Sequence, residues 1–218
     1  MSGWRAHVER EVTRYEDGEA RLPALADPDD RQRQLTRMGN AAGGAGLALL
    51  MLAQGEEAGT WFARAADRYR ESFDRAPPGS WGRPIGAIKT RVLAGDWPGA
   101  RADAEWALDV DSRHAESAIG RYAACLALLV LDHDDEALVQ AASIQGRDDF
   151  PPDVADALAA LALRDAEAYE TAIRSVLLSF ETREEYLEDI PVADTVIVLQ
   201  ALAHQRGLNV RLSSNVLP

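Results

Sequence analysis

Cysteine, lysine and histidine are almost missing from this 218-residue chain: it has one cysteine, one lysine and four histidines. A lone cysteine excludes an intramolecular disulfide and fits a reducing compartment. Cys125 lies in the apolar run Tyr122–Leu131, buried among aliphatics where a reactive thiol would need a basic, partly open setting, and reads as structural. His7, His114, His133 and His204 include no i, i+4 pair and no H-x-x-E-H pattern, which excludes a helical metal site of that kind. The densest group of possible ligands is Asp132-His133-Asp134-Asp135-Glu136, at a turn where acids also cap helices. No nucleophile elbow, phosphate-binding loop or dinucleotide glycine fingerprint occurs. No catalytic residue, cofactor or metal ligand is therefore expected, and the chain reads as a protein without enzymatic activity.

Positive charge is also scarce. Against 36 acids there are 23 bases, giving a formal net charge of −13, and of those bases only Lys89 is lysine. Such a surface repels nucleic-acid phosphates and anionic membranes, so neither is expected as a partner. Coding bias or salt adaptation produces the same balance as an acidic face built for a basic partner. Long hydrophobic runs are few. Met38–Gly55 carries no charged side chain, but it is glycine-rich, and its dense apolar part is shorter than the ~20 residues a span needs. It reads as a buried helix, with Gly39 and Gly43 spaced for close packing. The charged N-terminus lacks the apolar core of a signal peptide, so a cytoplasmic location is expected.

What the chain has is alanine, leucine, arginine and glutamate, a composition that favours helix throughout. Four segments read alike: Ala65–Tyr69, Ala100–Ala104, Ala137–Ala141 and Ala168–Ala172. Their first alanines are 35, 37 and 31 residues apart, close to the length of a tetratricopeptide-like helix–turn–helix repeat. Turn-like pairs precede three of them, at Gly95-Asp96, Asp132-His133 and Arg164-Asp165. The intervals are uneven, so the fold expected is a degenerate all-α solenoid of antiparallel hairpins. One domain spans residues 1–218, with a hairpin array over about 28–180 and a closing helix and extended tail over about 181–218.

Trp4, Val8, Val12 and Tyr15 mark one stripe of an opening helix, expected to end at Asp17-Gly18. Asp27-Pro28-Asp29-Asp30 reads as an N-cap, a first-turn proline and first-turn acids. Asp111-Ser112 is expected to open a helix reaching Leu131, apolar all round in its last turns and therefore central. Thr182 and Glu185 have capping-box spacing, and Pro191 is expected to open the last helix.

Candidate partner-binding residues fall in two groups. Trp81 and Arg83 follow the Pro77-Pro78-Gly79 break, and Trp97 sits in a turn; Trp and Arg recur at interface hot spots, whereas aromatics wedged between helices are also ordinary core. The second group is acidic. Glu181, Glu184, Glu185 and Glu188 are spaced as one exposed helical face, either solvated or a dock for a basic protein.

The closing segment, D194-T-V-I-V-L-Q-A-L-A-H-Q-R-G-L-N-V-R-L-S-S-N-V-L-P218, is an apolar helix, then L-A-x-x-R-G, then an alternating stretch ending in Leu-Pro. With the upstream hairpins, including V92-L-A-G-D-W-P-G-A100, it resembles the immunity protein 49 family of bacterial and archaeal polymorphic toxin systems. The resemblance implies a cytoplasmic protein that binds and blocks a cognate toxin domain. A tetratricopeptide-like adaptor that holds a protein or peptide is the alternative reading.

Overall fold

The computed structural model describes residues 2–218. Among them the chain forms ten α-helices and no strand. They are α1 (Ser2–Arg21), α2 (Pro28–Met51), α3 (Gly55–Phe73), α4 (Gly82–Leu93), α5 (Trp97–Asp109), α6 (Ala118–Val130), α7 (Asp134–Ile144), α8 (Pro152–Leu163), α9 (Ala166–Thr182) and α10 (Asp194–Gln205). Consecutive helices pack on one another from α1 to α9. Four hairpins, α2–α3, α4–α5, α6–α7 and α8–α9, are thus stacked behind an N-terminal helix. None of the described helices is long and apolar enough to cross a membrane.

The repeat is written in the turns. Each hairpin passes through a residue with positive φ: Ala53, Gly95, Asp132 and Arg164. At each, the following amide reaches back five residues, to the carbonyls of Leu49, Arg91, Leu128 and Ala160, at 2.9–3.0 Å. These bonds satisfy carbonyls that a helix end would leave orphaned. Only one of the four turns uses glycine, so residue identity hides a repeat that backbone geometry displays.

The alanines mark where second helices press on first ones. Ala65, Ala100, Ala104, Ala137 and Ala141 are all fully buried. The fourth segment departs from the pattern. Ala168 is exposed, and Tyr169 takes the inward position, followed by Ile173 and Val176. Asp165 fixes that register by accepting hydrogen bonds from the amides of Glu167 and Ala168.

Glycines in α2 and α4 make room for aromatics of α3. A Cβ on Gly39 or Gly86 would sit 2.9 or 2.7 Å from the Tyr69 ring, and one on Gly46 would sit 2.5 Å from Phe62. Gly18 does not end α1, as its neighbour Asp17 had suggested. The helix continues to Arg21, because Gln34 and Met38 of α2 pack where a Gly18 side chain would stand. Asp27 caps α2 as expected, accepting from the Asp29 and Asp30 amides. The helix expected from Asp111-Ser112 begins later. Ser112–His114 form a 3₁₀ turn, and Ser117 caps α6. Every residue of α6 from Tyr122 to Val130 is buried, as its all-round apolar character requires.

The core has two clusters. One lies among α1, α2 and α3 and reaches Ala87 of α4; the other runs from α4 to α10. α10 folds back onto α4, α8 and α9. Arg206, just past its end, fastens it further. This side chain is 1% exposed, and its Nη2 donates to the Leu129 carbonyl at 2.7 Å and to Asp134 at 2.6 Å. The tail lies extended on the same side. The Gln200 side chain donates to the Val210 carbonyl, and the Ala193 amide to the Val216 carbonyl.

Candidate functional site

Four turns of α2 carry Thr36, Asn40, Gly43 and Leu47 on one face, and α4 presents Arg83, Gly86, Thr90 and Leu93 in the same way. Between these faces opens a cavity of about 420 Å³. The end of α9, the segment after it and the start of α10 form its remaining wall, through Phe180, Arg183, Tyr186, Glu188 and Asp194. Gly43 forms part of the floor. A Cβ there would meet nothing closer than the Tyr69 hydroxyl at 3.9 Å, unlike those on Gly39 and Gly46.

A hydrogen-bonded chain crosses this wall. Tyr69 donates its hydroxyl to Asn40 Oδ1 at 2.9 Å, and Asn40 Nδ2 donates to Glu188 Oε1 at 3.1 Å. Glu188 pairs in turn with Arg14 of α1, whose guanidinium also holds the fully buried Glu11. Arg10 donates to the Glu188 carbonyl. Burial first, and then the carboxylates of Asp194 and Glu188, push the Tyr69 phenol well above its usual pKa. It stays protonated and works as a donor.

The chain's one lysine is the second polar feature. Lys89, with its side chain 13% exposed, donates to Asp194 Oδ2 at 2.5 Å and to Thr195 Oγ1 at 3.0 Å. Burial is the largest single influence and opposes its charge, but Asp194 and Tyr122 together outweigh it and raise the ammonium pKa. Asp194 is the first residue of α10, where a carboxylate also meets the positive end of the helix dipole. The pair therefore pins the start of α10 to α4.

Arg83 is held differently. Its Nε donates to Thr36 and Ser72, and its Nη2 to Gln32; no carboxylate of the described residues lies within ion-pair distance. Burial alone pulls its pKa down. Arg183 likewise has no acidic partner among the described residues and stacks 3.5 Å from the Phe180 ring centroid. The cavity wall thus carries three cations and two carboxylates, in a chain where acids outnumber bases 36 to 23.

The chain matches no family model, no curated protein and no solved structure. Its own geometry therefore has to carry the functional reading.

Of the six candidate residues, Arg83 and Glu188 line the cavity. Glu184 and Glu185 are exposed on the loop between Arg183 and Tyr186, both of which line it. Trp81 lies between the lining residues Ser80 and Gly82, but its indole turns toward Gly120 and packs on the larger core. Trp97 is elsewhere, beside a crevice of about 60 Å³ formed with Arg101, Asp132 and Arg206. Trp106 packs edge-to-face on Phe73, 5.2 Å away.

The acidic helical face does not exist. α9 stops at Thr182, Arg183 is extended, and Tyr186 folds back to donate its hydroxyl to the Phe180 carbonyl. Glu188 and Asp189 both adopt positive φ, near +55°. The chain leaves the helix because Ile190 and Val192 must reach the core, and because Arg10, Arg14 and Asn40 draw Glu188 inward. Thr182 is accordingly the last residue of α9 and not a cap, and Pro191 precedes α10 by three positions. Three of the acids around His133 are engaged by arginines: Asp132 by Arg101, Asp134 by Arg164 and Arg206, and Glu136 by Arg113. Among the described residues no group of three or more His, Cys, Asp or Glu is arranged to hold a metal. Cys125 is buried, and burial pushes its thiol up to about 12.

The sequence reading missed Thr36, Asn40, Gly43, Tyr69, Lys89 and Asp194. Two signals were available: polar Thr36 and Asn40 interrupting an apolar glycine-rich stretch, and the one lysine placed directly after the core residue Ile88.

Proposed function

We propose that the protein is a dedicated cytoplasmic inhibitor of the immunity type, which neutralises a cognate toxin domain by covering it. The observation that carries this reading is that Arg83 and Glu188 line one cleft, while Glu184 and Glu185 stand exposed on the loop between its lining residues Arg183 and Tyr186. Glu184 and Glu185 offer negative charge at the rim, which speeds encounter with a basic partner. Leu187, 70% exposed beside them, offers an apolar anchor. An open repeat protein would present the layer of first helices as a peptide groove. Here α10 lies on α4 and α8 and occupies that layer, which favours a dedicated binder over a general adaptor.

The deciding experiment is co-expression with toxin domains encoded beside its gene. Rescue of growth, together with a stoichiometric complex between the purified proteins, supports the proposal. Absence of rescue and binding across all neighbouring toxins sinks it. Association weakened by a Glu184→Lys/Glu185→Lys double variant, with a reduced salt dependence, assigns the rim as the contact surface.

A further inference from the structure

α2 and α4 run in the same direction along the cavity. Arg83 bonds Thr36 near its start, Gly43 and Thr90 face each other midway, and Leu47 and Leu93 line it farther along. From Arg83 to Leu93 the cleft follows ten residues of helix, about 15 Å at 1.5 Å per residue. One end is polar, and the other is walled by Leu47, Phe62 and Leu93. A half-enclosed cavity of this size, mostly apolar with a few fixed polar groups, has the character of a small-molecule site.

Most of its polar groups are already engaged. The Thr90 hydroxyl donates within its own helix to the Gly86 and Ala87 carbonyls. Tyr69 is taken by Asn40, Asn40 by Glu188, and Lys89 by Asp194. Two lining arginines lack a carboxylate: Arg183 is exposed and stacked on Phe180, whereas Arg83 is partly buried, with its Nε and Nη2 bound by neutral oxygens and Nη1 in none of those bonds. A partly buried guanidinium without an anion, at the head of an apolar channel, calls for an anionic head group on an apolar body.

We infer that this cleft binds a single-chain aliphatic carboxylate, with its carboxylate on Arg83 and its chain along α2 and α4 toward Leu47, Phe62 and Leu93. The site shares Arg83 and its cleft with the proposed toxin contact, but ligand binding is read on the purified protein without any toxin, so failure of toxin rescue leaves this inference intact. The ligand enters as the carboxylate, since Arg83 stabilises the charged form.

Isothermal titration with hexanoate, octanoate and decanoate tests the assignment, with 1-decanol and decylamine as neutral and cationic controls. Saturable one-to-one binding is expected, strengthening about fourfold per added methylene until the channel is full. Decanol and decylamine should bind at least tenfold more weakly than decanoate. Gly43→Leu places a side chain in open cavity space and should abolish decanoate binding, with circular dichroism confirming the fold. Arg83→Gln should weaken decanoate at least tenfold and leave decanol unchanged. Absence of saturable binding by the wild-type protein overturns the inference. Equal affinity for decanoate and decylamine, or undiminished binding in folded Gly43→Leu, overturns it as well.

Discussion

Replacing Gly46 or Gly43 with alanine adds the same methyl group to the same helix, three residues apart, and the structure assigns different outcomes. Alanine is favoured over glycine in a helix interior by roughly 0.5–1 kcal/mol, which both variants gain. At Gly46 the new Cβ would lie 2.5, 2.6 and 2.9 Å from three atoms of the fully buried Phe62 ring. Carbon atoms rest about 3.5–4.0 Å apart, so the ring or the helix must shift by about 1 Å. Overpacking of that kind costs roughly 1–3 kcal/mol, which cancels the gain or leaves a net loss of up to about 2.5 kcal/mol. At Gly43 the nearest atoms are 3.9 and 4.0 Å away, ordinary contact, so the propensity gain survives. Since both gain the same propensity, the two variants should differ by the overpacking cost, about 1–3 kcal/mol, which for a chain of this length corresponds to roughly 2–12 °C in Tm. Urea denaturation followed by circular dichroism at 222 nm measures the difference directly. A Gly46→Ala protein as stable as Gly43→Ala would refute the assignment of Gly46 to aromatic packing and of Gly43 to open cavity.

Removing one partner of the Lys89–Asp194 pair, as in Asp194→Ala, should cost about 2–4 kcal/mol, and the paired change Lys89→Met/Asp194→Leu should recover most of it; equilibrium unfolding of the three proteins decides. Arg206→Ala removes its hydrogen bonds to the Leu129 carbonyl and to Asp134, which keeps only Arg164, and should cost about 2–3 kcal/mol, with Arg206→Lys recovering only part of that because one ammonium does not reproduce the guanidinium fork. Stability should fall at alkaline pH. Lys89, Tyr69 and Tyr122 all have raised pKa values when folded, so the native state holds these protons more tightly than the unfolded chain. Their contribution is complete below about pH 10 and is lost as pH rises through the folded values, so Tm measured from pH 8 to 11.5 should decline above pH 10, less steeply in Lys89→Met. Native Cys125, buried and with its pKa near 12, should resist a thiol reagent that labels it within minutes in urea.

The helical class and the hairpin order were legible because they rest on local chemistry. Asp27-Pro28 starts α2, Asp96 and Asp165 cap α5 and α9, and stripes such as Val154, Leu158 and Leu161 face inward at helical spacing. The acidic stretch shows where local reading failed. Glu184, Glu185 and Glu188 have helical spacing, yet Glu188 is pulled inward by Arg10 and Arg14, residues more than 170 positions earlier. Spacing says which residues share a face if the helix continues; it does not say whether distant partners end the helix. Ala168 failed for a related reason, since the Asp165 cap set the register one residue away from the alanine pattern.

The sequence by itself determined that this chain is helical, paired into hairpins, acidic and without a recognisable catalytic motif, because capping, periodicity and charge act over a few residues or add over the whole. Only the tertiary structure decided that α10 returns to α4 and that Asp194 neutralises Lys89 across a separation of 105 residues. The same long-range packing left Arg83 without an anion at the head of an open cleft. A cavity is what remains between elements once each has satisfied its neighbours, and no single segment encodes it.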